Sequence, residues 1–217
     1  GSSNEKTKKS IKTADTLKKD QLISNAFSLH SNGKFKEASE IYNFLIQNKI
    51  YDPRVFNNLG SIYFQRNHFD RAISLFDESI KRFPNSLEAY TNLANILVAK
   101  GRRDTAKNIL NRAIELNPKY LRPYSILAGI MVGEGDLKKA AIFLKKSLKI
   151  NPKDINALVN LACVLKDSGN PKQAERFLKD ALKINPSFDF ALTNLGAVLN
   201  ELEKFDEGEQ YLRKALS

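Results

Sequence analysis

The stretch from Tyr124 to Pro152, YSILAGIMVGEGDLKKAAIFLKKSLKINP, decides the fold of this 217-residue chain. In its first part, Tyr124, Leu127 and Met131 fall at helical spacing on one face. Gly135 then stands where a left-handed helix cap is expected. A second apolar stripe ends in a Lys-rich turn, which suits the helix dipole, and Pro152 cannot extend that helix. The stretch therefore predicts two helices joined by a tight turn.

The same pattern recurs with a period of 34 residues. Asn-Pro pairs stand at 117–118, 151–152 and 185–186, and Pro84 precedes them in step. In this frame the repeats begin at Pro53, Leu87, Leu121, Ile155 and Asp189, and a degenerate first repeat begins near Lys19. A fixed period of this length is typical of architectures in which each repeat packs only on its neighbours.

Three positions of the repeat carry the packing pattern. The eighth residue is always small, namely Ala26, Gly60, Ala94, Ala128, Ala162 and Gly196. The twentieth is also small, namely Ala38, Ala72, Ala106, Ala140, Ala174 and Gly208. The twenty-fourth is bulky, namely Tyr42, Phe76, Leu110, Leu144, Leu178 and Leu212. We expect the small residues to let the two helices of a repeat approach closely, and the bulky residue to fill the gap between repeats.

This pattern resembles the tetratricopeptide repeat family over residues 19–217. The resemblance implies an all-α fold, a right-handed α-solenoid of about six helix-turn-helix repeats starting near residues 19, 53, 87, 121, 155 and 189. The left-handed caps between the two helices are predicted at Gly33, Asn67, Gly101, Gly135 and Gly169. A single repeat is shorter than the roughly 40 residues that a domain usually needs to fold alone, so stacking must stabilise it.

The two terminal repeats depart from the pattern. The first has Asn25 at the Leu position and Ile50 at the Pro position, which suits a capping repeat. The last has Glu203 where Gly is expected and Gly208 where Ala is expected. We interpret residues 1–18 as an expression scar, Gly1-Ser2-Ser3, followed by a flexible Lys-rich lead-in.

The residue inventory argues against an enzyme. One cysteine, Cys163, cannot form an internal disulfide, and with His30 and His68 it is too little for a typical zinc site. The sequence contains no phosphate-binding loop in a strand context and no recognisable catalytic triad. No apolar run reaches the ~18 residues that indicate a membrane-spanning helix. We therefore expect a cytoplasmic, non-catalytic protein with no cofactor, no metal and no membrane partner.

The net charge of +11 raises the question of nucleic-acid binding. The excess is spread thinly along the repeats, and the last repeat, from Asp189, is net acidic. The densest basic group is Lys138, Lys139, Lys145, Lys146 and Lys149, at spacings that surround a helix. We interpret it as a solvated face, and we expect any nucleic-acid binding to be non-specific and to fall steeply with salt.

In this family the first helices line a concave groove, so the resemblance implies which residues contact a ligand. The sixth residues of the repeats are Asn58, Asn92, Ile126, Asn160 and Asn194. Asparagine amides can bond to successive peptide groups of an extended chain. The column resembles the asparagine ladder of O-linked N-acetylglucosamine transferases, interrupted at Ile126. The alternative is that these amides bond between repeats. Further candidate groove residues are Asn57, Asn95, Phe64, Val98, Val132, Arg54 and Arg122.

Two functional hypotheses follow. The first is a protein-protein interaction scaffold that holds an extended or helical peptide of unknown identity in the groove. The alternative is the substrate-recruiting N-terminal part of a larger bacterial transferase or oxygenase, with its catalytic domain beyond residue 217. We also expect weak self-association through the C-terminal end, because Leu212, Ala215 and Leu216 would face a further repeat in a stacked array.

Overall fold

The computed structural model of the chain describes residues 18–216, and every regular element within them is an α-helix. The predicted scar and lead-in of residues 1–18 fall outside this range, apart from residue 18. None of the described helices is long and apolar enough to cross a membrane. The predicted all-α class is confirmed.

The chain forms two compact units, Gly1–Gly101 and Arg102–Ser217, here called the N-terminal and the C-terminal unit. The described helices of the N-terminal unit are α1 (residues 18–31), α2 (Phe35–Gln47), α3 (Pro53–Gln65), α4 (Phe69–Arg82) and α5 (Leu87–Ala99). Consecutive helices from α2 to α5 pack on each other, and α3 also contacts α5, so the first helices of neighbouring repeats lie side by side.

The C-terminal unit repeats this arrangement. Its helices are α6 (Arg103–Leu116), α7 (Arg122–Gly133), α8 (Leu137–Ile150), α9 (Ile155–Asp167), α10 (Pro171–Ile184), α11 (Asp189–Glu201) and α12 (Phe205–Ala215). Each helix from α6 to α12 packs on the next, and the first helices α9 and α11 of successive repeats are also in contact. Within each unit the first and second helices of the repeats alternate and stack in chain order.

The turn inside each hairpin has the predicted left-handed backbone. Gly33, Gly101, Gly135 and Gly169 have φ between 74° and 78°, and Asn67 has φ 59°. The last repeat makes the same turn with Glu203, at φ 61°. For a residue with a Cβ this conformation costs about 1–2 kcal/mol. The stacked hairpin therefore imposes the turn even where the sequence lacks the residue that favours it.

The small and bulky positions meet inside one hairpin. An added Cβ on Gly60 of α3 would lie 2.6 Å from the ring of Phe76 on α4, and one on Gly196 of α11 would lie 2.5 Å from Leu212 on α12. In these two repeats the bulky residue therefore covers the small residue of its own repeat, a contact that the expectation of a residue filling the gap between repeats did not include. Tyr42 also reaches the following repeat, through a hydrogen bond from Asn58.

The unusual Gly208 has a packing reason. A Cβ at this position would collide with the side-chain oxygen of Asn200 and would lie 3.0 Å from the carbonyl oxygen of Gly196. The glycines Gly196 and Gly208 therefore face each other, and α11 and α12 approach too closely for the Ala that stands at the twentieth position elsewhere.

Ion pairs link successive repeats of the C-terminal unit. Lys107 on α6 binds Glu134 at the end of α7, at 3.0 Å, and Glu175 on α10 binds Lys204 before α12, also at 3.0 Å. Glu175 is nearly buried and also binds Lys179 at 2.6 Å. The hydrogen bond from Lys179 lowers the pKa of Glu175 below its ordinary value; burial opposes this effect, and the bond from Lys204 adds to it.

Replacing Gly60 by Ala is expected to lower the free energy of unfolding by about 1–3 kcal/mol, because the new Cβ overlaps the Phe76 ring. Gly60→Ala/Phe76→Leu should recover at least half of that loss, because the repeats that begin at Leu87, Leu121 and Ile155 combine Ala with Leu at these positions. The matched control is Gly129→Ala, whose Cβ meets no atom within 4 Å. It should stabilise the helix by about 0.5–1 kcal/mol. Denaturant unfolding measures all three, and wild-type stability of Gly60→Ala would contradict the packing.

Replacing Glu175 by Gln is expected to lower stability at pH 7 by about 1 kcal/mol, because it removes the charge that both lysines contact. Since the folded-state pKa of Glu175 is lowered, its contribution is present above the ordinary carboxylate pKa and is lost as the pH falls below about 4. The difference between wild type and variant should therefore shrink on acidification. Asp180→Asn, which breaks an exposed pair with Lys183, serves as control and should change stability little.

Candidate functional site

The side chain of Asn58, in the N-terminal unit, makes a hydrogen bond within the fold. Its Nδ2 donates a hydrogen bond to the Tyr42 hydroxyl at 3.2 Å, and that hydroxyl donates to the carbonyl oxygen of Ala26 at 3.3 Å. Tyr42 is fully buried, and burial raises its pKa, so its hydroxyl keeps the proton that it donates. The two bonds join α1, α2 and α3. At this position the amide therefore bonds between repeats.

Asn57, the preceding residue, does not lie on the accessible surface. It is 3% exposed, and its Nδ2 donates to Ser86 Oγ at 3.3 Å and to Glu88 Oε2 at 3.5 Å. Its side chain therefore holds α3 against the start of α5. Arg54 is exposed, but it binds Asp52 at 2.7 Å and lies over the Phe27 ring at 4.9 Å, so its charge is already matched.

The remaining candidates of the N-terminal unit lie on α3 and α5, which are in contact. Phe64, Asn92, Asn95 and Val98 are all half-buried. Among the described residues, Asn92 has no hydrogen-bond partner for its side chain. A half-exposed amide of this kind offers two donors and one acceptor to a ligand, beside the apolar side chains of Phe64 and Val98.

In the C-terminal unit, Asn194 resembles Asn58 in being used by the fold. Its Nδ2 donates to the carbonyl oxygen of Phe190 at 2.7 Å, and its Oδ1 accepts from the Cys163 thiol at 3.4 Å. Burial raises the pKa of Cys163, which keeps the thiol protonated and able to donate. This agrees with the interpretation of Cys163 as a poorly reactive residue of the first-helix surface.

Asn160 is an accessible asparagine of the C-terminal unit. It lies on α9, is exposed, and within residues 18–216 its side chain makes no hydrogen bond. The candidates on α7 are Arg122, which is exposed, Ile126, which is half-buried, and Val132, which is 43% exposed. Each unit thus presents, on its first helices, at least one amide that makes no hydrogen bond among the described residues, together with some apolar surface.

Phe190 was missed by the sequence reasoning. It is 71% exposed on α11, and its ring centroid lies 6.4 Å from that of Phe188. The available signal was its place as the second residue of its repeat, a lining position at which the other repeats carry polar residues such as Arg54 and Arg122. An exposed aromatic ring at such a position is the kind of side chain that contributes strongly to protein interfaces.

The chemistry of these surfaces is hydrogen bonding and apolar contact. Within the described part of the chain, no group of His, Cys, Asp and Glu side chains could hold a metal ion. The uncommitted groups are neutral amides, which match peptide groups in size and hydrogen-bonding capacity.

Comparison with known proteins places the chain in a repeat family. Residues 13–217 match the family model described as the cilia and flagella-associated protein 70 C-terminal domain, a tetratricopeptide repeat domain. A search of curated proteins found no match.

Solved structures of tetratricopeptide repeat proteins share the fold. PilF of Pseudomonas aeruginosa superposes with a TM-score of 0.77 at 14% identity, over 89% of this chain and 88% of that chain. A thermophilic protein of Thermus thermophilus gives a TM-score of 0.67 at 19% identity, over 84% and 99%. YrrB, described as a protein of this class with an unusual peptide-binding site, gives a TM-score of 0.61 at 20% identity, over 82% and 92%. The predicted solenoid class is confirmed.

Replacing Asn58 by Ala is expected to lower the free energy of unfolding by about 1 kcal/mol, because the buried Tyr42 hydroxyl loses a donor. Asn92→Ala makes the same chemical change at the same repeat position, where no bond is lost. Its effect on stability should stay within about 0.5 kcal/mol. Thermal and denaturant unfolding of the two variants compares the positions directly, and equal losses would contradict the division into structural and available asparagines.

Proposed function

The chain belongs to the tetratricopeptide repeat family of the cilia and flagella-associated protein 70 C-terminal domain, and we propose that it is a non-catalytic protein-interaction scaffold. Its ligand is a peptide segment of a partner protein, extended or helical, that lies on the first helices. The description of its structural neighbour YrrB as a peptide-binding protein is consistent with this proposal.

The observation that carries the proposal is the pair of uncommitted amides, Asn92 and Asn160. They occupy the same position of their repeats, one in each compact unit, and the described residues satisfy neither. An amide can donate to a peptide carbonyl and accept from a peptide N–H, so it recognises main chain whatever the side chains of the ligand. An amide contributes to ligand binding only where its hydrogen-bonding groups are not already used within the protein. Asn58 and Asn194 use theirs within the protein, so we assign them no ligand contact.

Apolar side chains beside these amides supply the rest of the affinity. Phe64 and Val98 accompany Asn92 in the N-terminal unit, and Val132 and Phe190 lie on first helices of the C-terminal unit. A few such contacts and hydrogen bonds correspond to an affinity of about 1 μM, or roughly −8 kcal/mol. We assign the protein to the cytoplasm, because its one cysteine is a protonated thiol that needs no oxidising compartment.

Combining Asn92→Ala with Asn160→Ala is expected to weaken peptide binding by about 1–3 kcal/mol, because peptide groups of the ligand lose their partners. The probe is a fluorescein-labelled peptide obtained by display selection on the immobilised wild-type protein. Fluorescence anisotropy then gives the dissociation constants of wild type and variant.

The matched control is Asn108→Ala/Asn111→Ala, which removes two exposed amides from the second helix α6. It should bind the selected peptide with wild-type affinity. If the groove variant also binds with unchanged affinity, the two amides have no role in recognition. Unfolding curves of both variants ensure that a loss of binding is not a loss of fold.

A further inference from the structure

The exposed face of α8 differs from that of every other second helix. Its sequence, LKKAAIFLKKSLKI, contains five lysines and no acidic residue, whereas α2, α4, α6, α10 and α12 each contain at least two acidic residues. The five lysines are all exposed. Among the described residues, Lys145, Lys146 and Lys149 have no carboxylate partner, and Lys139 pairs with Asp136 of its own helix cap.

An apolar side chain stands in the middle of these lysines. Ile142 is 52% exposed and has a lysine three and four residues away on both sides, so its helical neighbours are all cationic. The other repeats carry polar residues at this position, namely Glu40, Ser74, Asn108, Arg176 and Gln210. Because the repeat frame needs no apolar residue there, Ile142 is not explained by folding. We call Ile142 and the five lysines the basic face.

The opposite combination occurs at the start of α12. Phe205 is 63% exposed, and Glu201, Glu203 and Asp206 lie within four residues of it. These three carboxylates are exposed, and no basic partner for them is found in the described part of the chain. The nearby Lys204 is bound to Glu175. We call Phe205 and the three carboxylates the acidic corner.

We propose that the basic face of one copy docks on the acidic corner of a second copy. The two surfaces match in charge and in character, since each places one large apolar side chain among exposed charges of one sign, of which only Lys139 has an ion-pair partner in the described residues. Both belong to the C-terminal unit. The basic face lies on the second helix α8, and the acidic corner lies around the turn between α11 and α12, with only Glu201 on a first helix. Ile142 and Phe205 exclude water at the centre, and the charges around them steer and orient the encounter.

Other occupants of the basic face fit the observations less well. Nucleic acid would use the lysines but would gain nothing from Ile142, and the face offers no exposed aromatic ring for base stacking. An anionic membrane would require a wide apolar stripe, whereas the exposed face of α8 has one large apolar side chain. A protein surface with an apolar side chain between carboxylates would contact both the lysines and Ile142. The acidic corner of this chain is such a surface.

The contact joins two different surfaces, so it is heterologous. Each copy in a pair keeps one free basic face or one free acidic corner, and growth continues unless a ring closes. The area is small and the ion pairs are solvent-exposed, so we expect a dissociation constant on the order of 0.1–1 mM. The contact therefore matters where copies are concentrated, for example when several are recruited to one assembly.

Sedimentation velocity tests this contact with the wild-type chain of 24.5 kDa. In about 20 mM salt the weight-average mass should rise above that of the monomer as the concentration approaches about 1 mM. About 0.5 M salt should return it to the monomer, because the screening length falls below the size of the contact. A monomer at all concentrations in low salt would overturn the proposal. Association that survives high salt would overturn it in favour of the apolar end at Leu212 and Leu216.

Charge reversal identifies the surfaces. Lys145→Glu/Lys146→Glu and Glu201→Lys/Glu203→Lys should each reduce the association constant at least tenfold. An equimolar mixture of the two variants should restore association to within about threefold of wild type, because the unchanged face of one variant meets the unchanged corner of the other and the two reversed surfaces also match. A mixture that stays monomeric would overturn the pairing.

The matched control is Lys36→Glu/Lys81→Glu, which makes the same change in net charge at two exposed lysines of the N-terminal unit. It should associate like wild type; a loss equal to that of the α8 variant would show that only net charge matters. Circular dichroism confirms that each variant is folded. Binding of a labelled 20-nucleotide RNA, abolished by the α8 variant in a protein that never associates, would assign the face to nucleic acid instead.

Discussion

The close approach of the two helices in a hairpin depends on one steric pairing, a small residue on the first helix beneath a bulky residue on the second, which is observed for Gly60 with Phe76 and for Gly196 with Leu212. Where the bulky residue is the Phe76 ring, even the methyl group of Ala is too large, and Gly60 stands beneath it. In the last repeat, Gly196 and Gly208 face each other and allow the close approach of α11 and α12. Everything else follows from this approach, because only closed hairpins offer flat sides on which the next repeat can stack.

The period of the sequence was sufficient to predict the hairpins and their turns. The turn glycines and the small and bulky residues recur at the same positions, and each has a local structural role. The same prediction can therefore be made independently from each repeat. The packing of Phe76 over Gly60 was not predicted, because periodicity shows which positions recur but not which side chains come into contact. The residue type at position 203 does not predict the turn there, because the packing of the hairpin imposes a left-handed backbone that Glu203 itself disfavours.

The candidate site was less predictable than the fold. Four asparagines share one repeat position, yet Asn58 and Asn194 are used inside the protein, and Asn92 and Asn160 are not. The difference depends on what a neighbouring helix presents. Asn58 meets the hydroxyl of Tyr42, which other repeats replace by Phe or Leu, and Asn194 meets the thiol of Cys163. The repeat pattern of the sequence does not predict such pairwise contacts, because they form only when the helices are packed.

The relay from Asn58 through Tyr42 to Ala26 has a consequence for how the chain loses its structure. Terminal repeats of solenoids usually fray, because they have a neighbour on one side only. Here one buried hydroxyl ties the first two repeats together, so α1 cannot detach without leaving Tyr42 with an unsatisfied donor. Opening at this end therefore involves α1, α2 and the start of α3 as one cooperative block, and amide protons in all three should exchange with solvent at a common rate.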